Sequence, residues 1–230
     1  MRTYRCRTVI AALALTLSVA GCGEDEATPA PPGFAPLEVS TAVRPASTSD
    51  QRCPESFNVV TGERDAVNAD TQVREQYEFA HGRGCIHGTM AAVWAAVRDP
   101  AVTVDRRRVT EFMVTRDVEP QYPVSFRVRN IVRDVVTITF DHTWRAGALE
   151  GTTDEPQVLS ARYQKTFGSS FIPILRGSIV ARPLDGATVE VEIVRHIKSS
   201  GAGADDARIY LQDCFNSLAA RVHGRPLPTY

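Results

Sequence analysis

Ile86-His87-Gly88-Thr89-Met90-Ala91-Ala92-Val93-Trp94-Ala95-Ala96-Val97-Arg98-Asp99-Pro100 is the stretch on which the fold turns. Thr89 is a good N-cap, because its hydroxyl can accept from an otherwise unpaired amide of the first turn. The alanines around Val93, Trp94 and Val97 favour a short helix, and Asp99-Pro100 stops it, since a residue before proline is pushed out of the helical region. Upstream, Tyr77 to His87 reads as a strand with unlike faces. Phe79, His81, Arg83, Cys85 and His87 share one parity. Ala80, Gly82, Gly84 and Ile86 share the other, and small residues there let another element approach closely.

Downstream the period changes from helical to two. Val124, Phe126 and Val128 alternate with Ser125, Arg127 and Arg129. Val136, Ile138, Phe140, His142 and Trp144 alternate with Thr137, Thr139, Asp141 and Thr143, and Val189, Val191 and Ile193 with Thr188, Glu190 and Glu192. These are patterns of antiparallel strands with one buried face, and they assign Glu190 and Glu192 to solvent. Residues 158–167 and 174–182 add two more strands. From about Asp205 to Val222, an apolar stripe of Leu211, Cys214, Phe215, Leu218 and Val222 marks an amphipathic helix, with Gly224 as its stop. A one-faced sheet and a one-faced helix cover each other. The expected class is α+β, a curved antiparallel sheet wrapped around a long C-terminal helix.

The strand, the capped Val-Trp helix ending in Asp-Pro and the terminal amphipathic helix together resemble the helix-grip domains of the START-like superfamily, polyketide-cyclase types included. The resemblance spans about Tyr77 to Gly224. It implies a cavity between sheet and helix that holds a hydrophobic or lipid-like molecule. Strand and helix parity nominate Phe126, Val128, Ile138, Phe140, His142, Trp144, Val191, Ile193, Leu211, Phe215 and Leu218 as its lining. A fully packed core without a cavity is the competing expectation.

The first residues carry a different message. Arg2, Arg5 and Arg7 precede an apolar run, Val9 to Leu17, and then Val19-Ala20-Gly21-Cys22. A basic start, a short apolar core and small residues before a cleavage point are the parts of a secretory signal. The cysteine after them resembles a bacterial lipobox, which implies removal of residues 1–21 and acylation of Cys22. The chain then divides into that leader, a Pro/Ala-rich flexible tether over 22–52, an N-terminal arm over 53–76 and the domain over 77–230. The expected place is the bacterial cell envelope, on a lipid anchor. Gly23, rather than an aspartate after the cysteine, favours the outer membrane by the sorting analogy.

Of the five cysteines, Cys6 leaves with the leader and Cys22 takes lipid. Cys53, Cys85 and Cys214 remain, and an exported compartment permits a disulfide. Cys53 with Cys85 is the candidate pair, and Cys214 falls on the helix stripe as a buried thiol.

Chemistry is sparsely marked. A net charge of -1 gives no field for a polyanion, and Arg106-Arg107-Arg108 reads as a solvated strand edge, so no nucleic-acid partner is expected. His81, Cys85 and His87 share parity, yet spacings of four and six residues spread them over roughly 13–20 Å, too wide for one metal ion. Phosphate-loop, nucleophile-elbow and zinc-helix motifs are absent, so no catalytic residue, metal or cofactor is assigned. Three readings stay open. The first is a membrane-anchored domain that binds or carries a hydrophobic small molecule or lipid. The second is an envelope enzyme of cyclase or hydrolase type with His142 or His196 as base, and the third is an assembly module without a cavity. Protein partners are not legible.

Overall fold

The computed structural model describes residues 33–46, 52–68 and 72–230. Cys22 and the leader lie outside the described residues. Eight antiparallel strands form one sheet in the order β1-β2-β8-β7-β6-β5-β4-β3. They are β1 (Phe57–Val67), β2 (Arg74–His87), β3 (Glu111–Arg116), β4 (Val124–Arg133), β5 (Thr137–Gly151), β6 (Pro156–Gly168), β7 (Ile174–Asp185) and β8 (Thr188–Lys198). Helices α1 (Met90–Val97) and α2 (Pro100–Thr103) connect β2 to β3, and α3 (Ala204–Val222) closes the fold. The chain therefore crosses from one sheet half to the other through α1 and α2, and then meanders back from β3 to β8. Register shifts at Asp141/His142, at Ala148/Glu150 and at Pro183/Asp185 add local twist and curl the sheet. This is the helix-grip architecture expected from the sequence.

The caps behave as the residue types require. Thr89 Oγ1 accepts from Ala92 N at 3.2 Å. Asp99 does not simply end α1, because its side chain caps α2 by accepting from Ala101 N at 3.0 Å, with Pro100 at the first helical position. At the far end, Gly224 takes φ +65°. Its N–H donates to Arg221 O at 3.1 Å and that of Arg225 to Ala220 O at 2.8 Å, a Schellman closure.

On the concave face α3 packs on β1, β2 and β8, and α1 on β6 and β7. The close approach comes at Gly84, where an added Cβ would stand 2.8 Å from the Phe57 ring and 3.1 Å from that of Phe215. Those two rings stack at 4.6 Å over the glycines of β2. Three further aromatic rings fill the centre of the concave face. Phe126 stacks on Trp144 at 5.8 Å and Trp144 on Tyr163 at 4.3 Å, crossing β4, β5 and β6.

Two boundaries differ from the sequence reading. Residues 53–76 are not a separate arm, since β1 pairs along its whole length with β2 and completes the sheet edge. Residues 33–46, assigned to a flexible tether, instead form a strap across the convex face. Ser160 Oγ on β6 donates to Phe34 O at 2.7 Å, and Leu37 N to Ser178 Oγ on β7 at 3.0 Å. Ser40 N donates to Glu192 on β8 at 3.3 Å, and Ser40 Oγ to Gly82 O on β2 at 3.1 Å. Asn58 Nδ2 on β1 reaches Val43 O at 2.9 Å. Prolines forbid helix and ladder here, but an extended chain can still bond to polar side chains that rise from the strands beneath it. The strap also explains why Glu190 and Glu192, placed in solvent by parity, are only 9% and 6% exposed. Glu192 is held by Arg83 at 3.2 Å and Arg182 at 2.8 Å. A third change is the new edge strand β3, from the stretch between Asp-Pro and β4 that showed no clear period.

Candidate functional site: a cavity with a polar floor

The concave face is not filled everywhere. Beyond the Phe126–Trp144–Tyr163 row, toward the β4–β5 hairpin and the start of α3, lies a cavity of about 320 Å³. Its apolar walls include Val132, Ile138, Phe140, Leu175 and Ile197, with Phe171 and Ile172 from the β6–β7 loop. Five buried polar side chains, Thr103, Asn130, His142, Arg195 and Tyr210, face it as well. Asp105, Arg108, Asp134 and Asp206 stand at its more exposed margin. At the β4–β5 tip, Val135 is 98% exposed and apolar. Phe112 and Val114 on β3 carry the concave parity next to Asn130 and Val128 and also remain open to solvent.

Three of the nominated lining residues, Ile138, Phe140 and His142, are on the cavity wall. Phe126, Val128, Trp144, Val191, Ile193, Leu211, Phe215 and Leu218 are not. They are buried in the packed core, at or behind the aromatic row. Parity reports which face a side chain takes. It says nothing about where along the strand the helices stop covering that face. The missed wall residues follow from the same limit, with one exception. Arg195 continues the parity of Val191 and Ile193 and breaks its apolar run, a signal that was legible.

Arg195 forms no ion pair among the described residues, and its polar neighbour is the Tyr163 hydroxyl. Its guanidinium carbon sits 3.8 Å from the centre of the Tyr210 ring, and its Nε is buried without a partner. Tyr210 spends its hydroxyl proton on Thr103 O at 2.9 Å. His142 has neither ring nitrogen bonded. Burial, and then the nearby Arg195 charge, push its pKa down to about 3, so the ring is neutral. The Tyr163 and Trp144 rings lie 5.9 Å from that of His142, and Trp144 Nε1 is likewise buried and unpartnered. Burial pushes the Tyr163 phenol up to about 12. A group of mostly hydrogen-bond donors thus stands at one end of an apolar chamber.

His196, the other base candidate, is on the opposite face. Its Nε2 and that of His81 both donate to Glu38 Oε1 of the strap, at 2.7 and 2.6 Å, while Arg64 holds Oε2 at 2.5 Å. Two imidazoles and a carboxylate within 4.8 Å are a metal-ligating set. Here the outer hydrogen bonds decide the tautomers. Thr41 N donates to His81 Nδ1 at 3.1 Å and Arg176 Nε to His196 Nδ1 at 3.4 Å, so both ring protons sit on Nε2 and no lone pair faces the shared oxygen. With Arg64 and Arg176 alongside, the set fits a hydrogen-bonded clasp for the strap and not a cation. Burial would raise the Glu38 carboxyl, but the bonds from His196, His81 and Arg64 outweigh it and hold the pKa well below the usual carboxylate range. Burial also lowers the His196 pKa.

The remaining candidates are placed as follows. Cys53 and Cys85 are joined in a disulfide, and His87 Nε2 bonds Cys53 O at 2.8 Å, so the His81-Cys85-His87 row does not converge. Cys214 is buried and free, its thiol pushed up to about 12 by burial. The Arg106–Arg108 run is a turn and not a strand edge. Arg107 pairs with Asp213 and Arg108 with Asp206 on α3, and Arg106 bonds Pro228 O, so the cluster is tied to α3 and the C-terminal segment. Among the described residues no helix is long and apolar enough to cross a membrane.

No protein-family description matches the chain, and no curated protein sequence does. Solved structures similar to it include the Zhui aromatase/cyclase from Streptomyces sp. R1128, 12% identical over 67% of this chain and 99% of that one, with TM-score 0.44. The human StarD13 lipid transfer and protein localization domain is 10% identical over 81% of this chain and 89% of that one, at TM-score 0.46. Human StAR-related lipid transfer protein 5 is 13% identical over 75% and 83%, at TM-score 0.45.

Proposed function

We propose that this chain is a binding protein for a hydrophobic or amphipathic small molecule, held between the β4–β5 end of the sheet and the start of α3. The supporting observation is the unfilled chamber of about 320 Å³ with apolar walls and a few convergent polar groups, within the size range of small-molecule sites. Neither histidine weighed as a base suits that role. His196 is on the far face of the sheet, and a general base near neutrality needs a pKa far closer to 7 than the value of about 3 at His142. The test is uptake of the neutral fluorophore N-phenyl-1-naphthylamine. Saturable uptake by the protein, lost in Ile138→Trp where the indole fills the chamber, is expected. Absence of saturable uptake at micromolar probe sinks the reading.

In this proposal the domain works at the cell envelope, tethered through Cys22. The Cys53–Cys85 disulfide suits an oxidising compartment. Gly33 follows Cys22 by eleven residues, which can reach at most roughly 40 Å, so the anchor would hold the domain close to its membrane. Cys22→Ser should move the protein from the membrane fraction to the soluble fraction and remove the acyl mass increment. An unaltered distribution counts against the anchor.

A further inference from the structure

Resting on that reading of the cavity, we propose that the ligand is an amphipathic carboxylate, whose head is received by Arg195 and His142 and whose apolar body lies along Ile138, Phe140, Leu175 and Ile197. Arg195 lacks a counter-ion at ion-pair distance among the described residues. A guanidinium stays charged at any pH a protein meets, and removing it from water costs several kcal/mol unless partners replace the lost hydration. Nearly all buried arginines recover that cost through carboxylates or carbonyls. Arg195 is 8% exposed and has the face of Tyr210 and the neutral Tyr163 hydroxyl, with no carboxylate at ion-pair distance. A cation over an aromatic ring recovers part of the cost. It leaves the guanidinium edge unused, and Nε on that edge is buried and unpartnered. An edge of parallel N–H groups is the shape that a carboxylate meets with two oxygens.

The groups around Arg195 have the same bias. Neutral His142 carries one N–H, and behind it the Trp144 indole N–H is buried without an acceptor. Donors outnumber acceptors at this end of the chamber, so an acceptor-rich head is complementary and an ammonium or a plain hydrocarbon is not. Carboxylates on the wall do not fill the role. Asp206 is paired with Arg108 and accepts from Gly203 N at 3.0 Å, and Asp105 accepts from Arg107 N at 3.2 Å. Neither comes within ion-pair distance of Arg195, and Asp134 lies on the exposed β4–β5 turn. Charges at the wet margin are screened over a Debye length of about 8 Å at physiological salt, whereas the buried guanidinium is not. The interior cation therefore decides the sign of the site, although the margin is acidic.

The remainder of the chamber sets the body of the ligand. Its walls are aliphatic and aromatic, and the apolar, exposed Val135 at the hairpin tip continues them toward solvent. A molecule with one charged end and a flexible or flat apolar remainder fits that gradient. A ligand with charge at both ends does not.

The experiment is displacement of N-phenyl-1-naphthylamine from the protein at pH 8 by dodecanoate, dodecanol and dodecylamine, each below its aggregation limit. The quantity read is the ratio of dodecanol to dodecanoate affinities within each protein, so that any change common to both ligands cancels. Dodecanoate should win by about tenfold or more in the wild type, the scale of one charge-assisted bidentate contact. That ratio should fall to within about twofold in Arg195→Met and be partly kept in Arg195→Lys. Because the contact is buried, the wild-type preference should also survive a change from 0.05 to 0.5 M salt, a measurement that needs no variant to fold. Equal affinities in the wild type, a preference for dodecylamine, a ratio unchanged in Arg195→Met, or a preference abolished by salt each overturn the carboxylate assignment while leaving the cavity reading intact. If the neutral probe itself is not taken up, the cavity reading fails and this one with it.

Discussion

His142 and Arg195 are the two side chains whose surroundings least match their chemistry. A buried imidazole with neither nitrogen bonded loses its water contacts and receives nothing in exchange. Replacing it with leucine should therefore stabilise the ligand-free protein, by about 1–3 kcal/mol, the cost of an unsatisfied buried polar group. The sign of the pH dependence follows from linkage. The folded-state pKa, about 3, is below the value near 6.5 of an unhindered histidine. The contribution is fully present above about pH 6.5 and is lost as pH falls toward 3, because the unfolded chain binds the proton first. In urea titrations the wild type should lose ground to His142→Leu below pH 6.5, with a limiting slope of about 1.4 kcal/mol per pH unit. A difference between the two proteins that is flat from pH 7 to 4 would show that the ring is hydrated or paired in solution. The histidine was legible as a residue of the apolar parity. Its neutrality was not, because that depends on the rings of Trp144 and Tyr163 and on the charge of Arg195, which reach it from other strands.

The strap is the element whose role composition concealed. Pro36 and Pro45 correctly signal the lack of helix or ladder over residues 33–46. They carry no information on whether an extended chain finds partners, and here the partners are single polar side chains on β6, β7, β8, β2 and β1. Glu38 is its strongest attachment, taking two imidazole donors and Arg64. Glu38→Ala leaves His81 and His196 with buried, unpaired N–H groups. It should cost about 3 kcal/mol, the scale of breaking one side of a buried charged contact. Hydrogen exchange of the Ser40 and Ala42 amides should then accelerate well beyond that of the strands below. Uniform acceleration throughout the sheet would mean that the strap and sheet open as one unit. For pH the sign is again that of a depressed acid. Glu38 stabilises the strap above the unfolded carboxylate pKa near 4.3 and loses that contribution as pH falls below it. The β2 face was more transparent, since a row of Ala80, Gly82 and Gly84 announces close approach before the rings of Phe57 and Phe215 are seen to make it.

For the molecule as a whole, one covalent link ties the segment ahead of β1 to the end of β2. The Cys53–Cys85 bond closes a loop with a sequence separation of 32. On the loop-entropy account its removal should cost about 3–4 kcal/mol. Cys53→Ser with Cys85→Ser should show this as a lower denaturant midpoint, with a steeper slope because the uncross-linked unfolded chain expands. Because the loop contains all of β1, the same variant should expose that edge strand first. A variant as stable as the wild type would show that the β1–β2 ladder already constrains the unfolded chain. The cavity is also a property of the whole. An eight-stranded sheet is wider than one helix can cover. With α3 over β1, β2 and β8, and α1 over β6 and β7, the β4–β5 end is left to loops.

What the sequence alone determined was local and periodic. It set the class of the fold, the α1 cap and stop, the parity of each long strand, the stripe of α3 and the glycine that ends it, because each depends on neighbours a few residues apart. The tertiary structure decided the remainder. It chose which stretch of the apolar face stays empty, turned Glu190 and Glu192 from solvent to burial, and left Arg195 without a carboxylate at ion-pair distance. Those outcomes depend on which distant segments meet, and a period along one strand carries no information about what is packed above it.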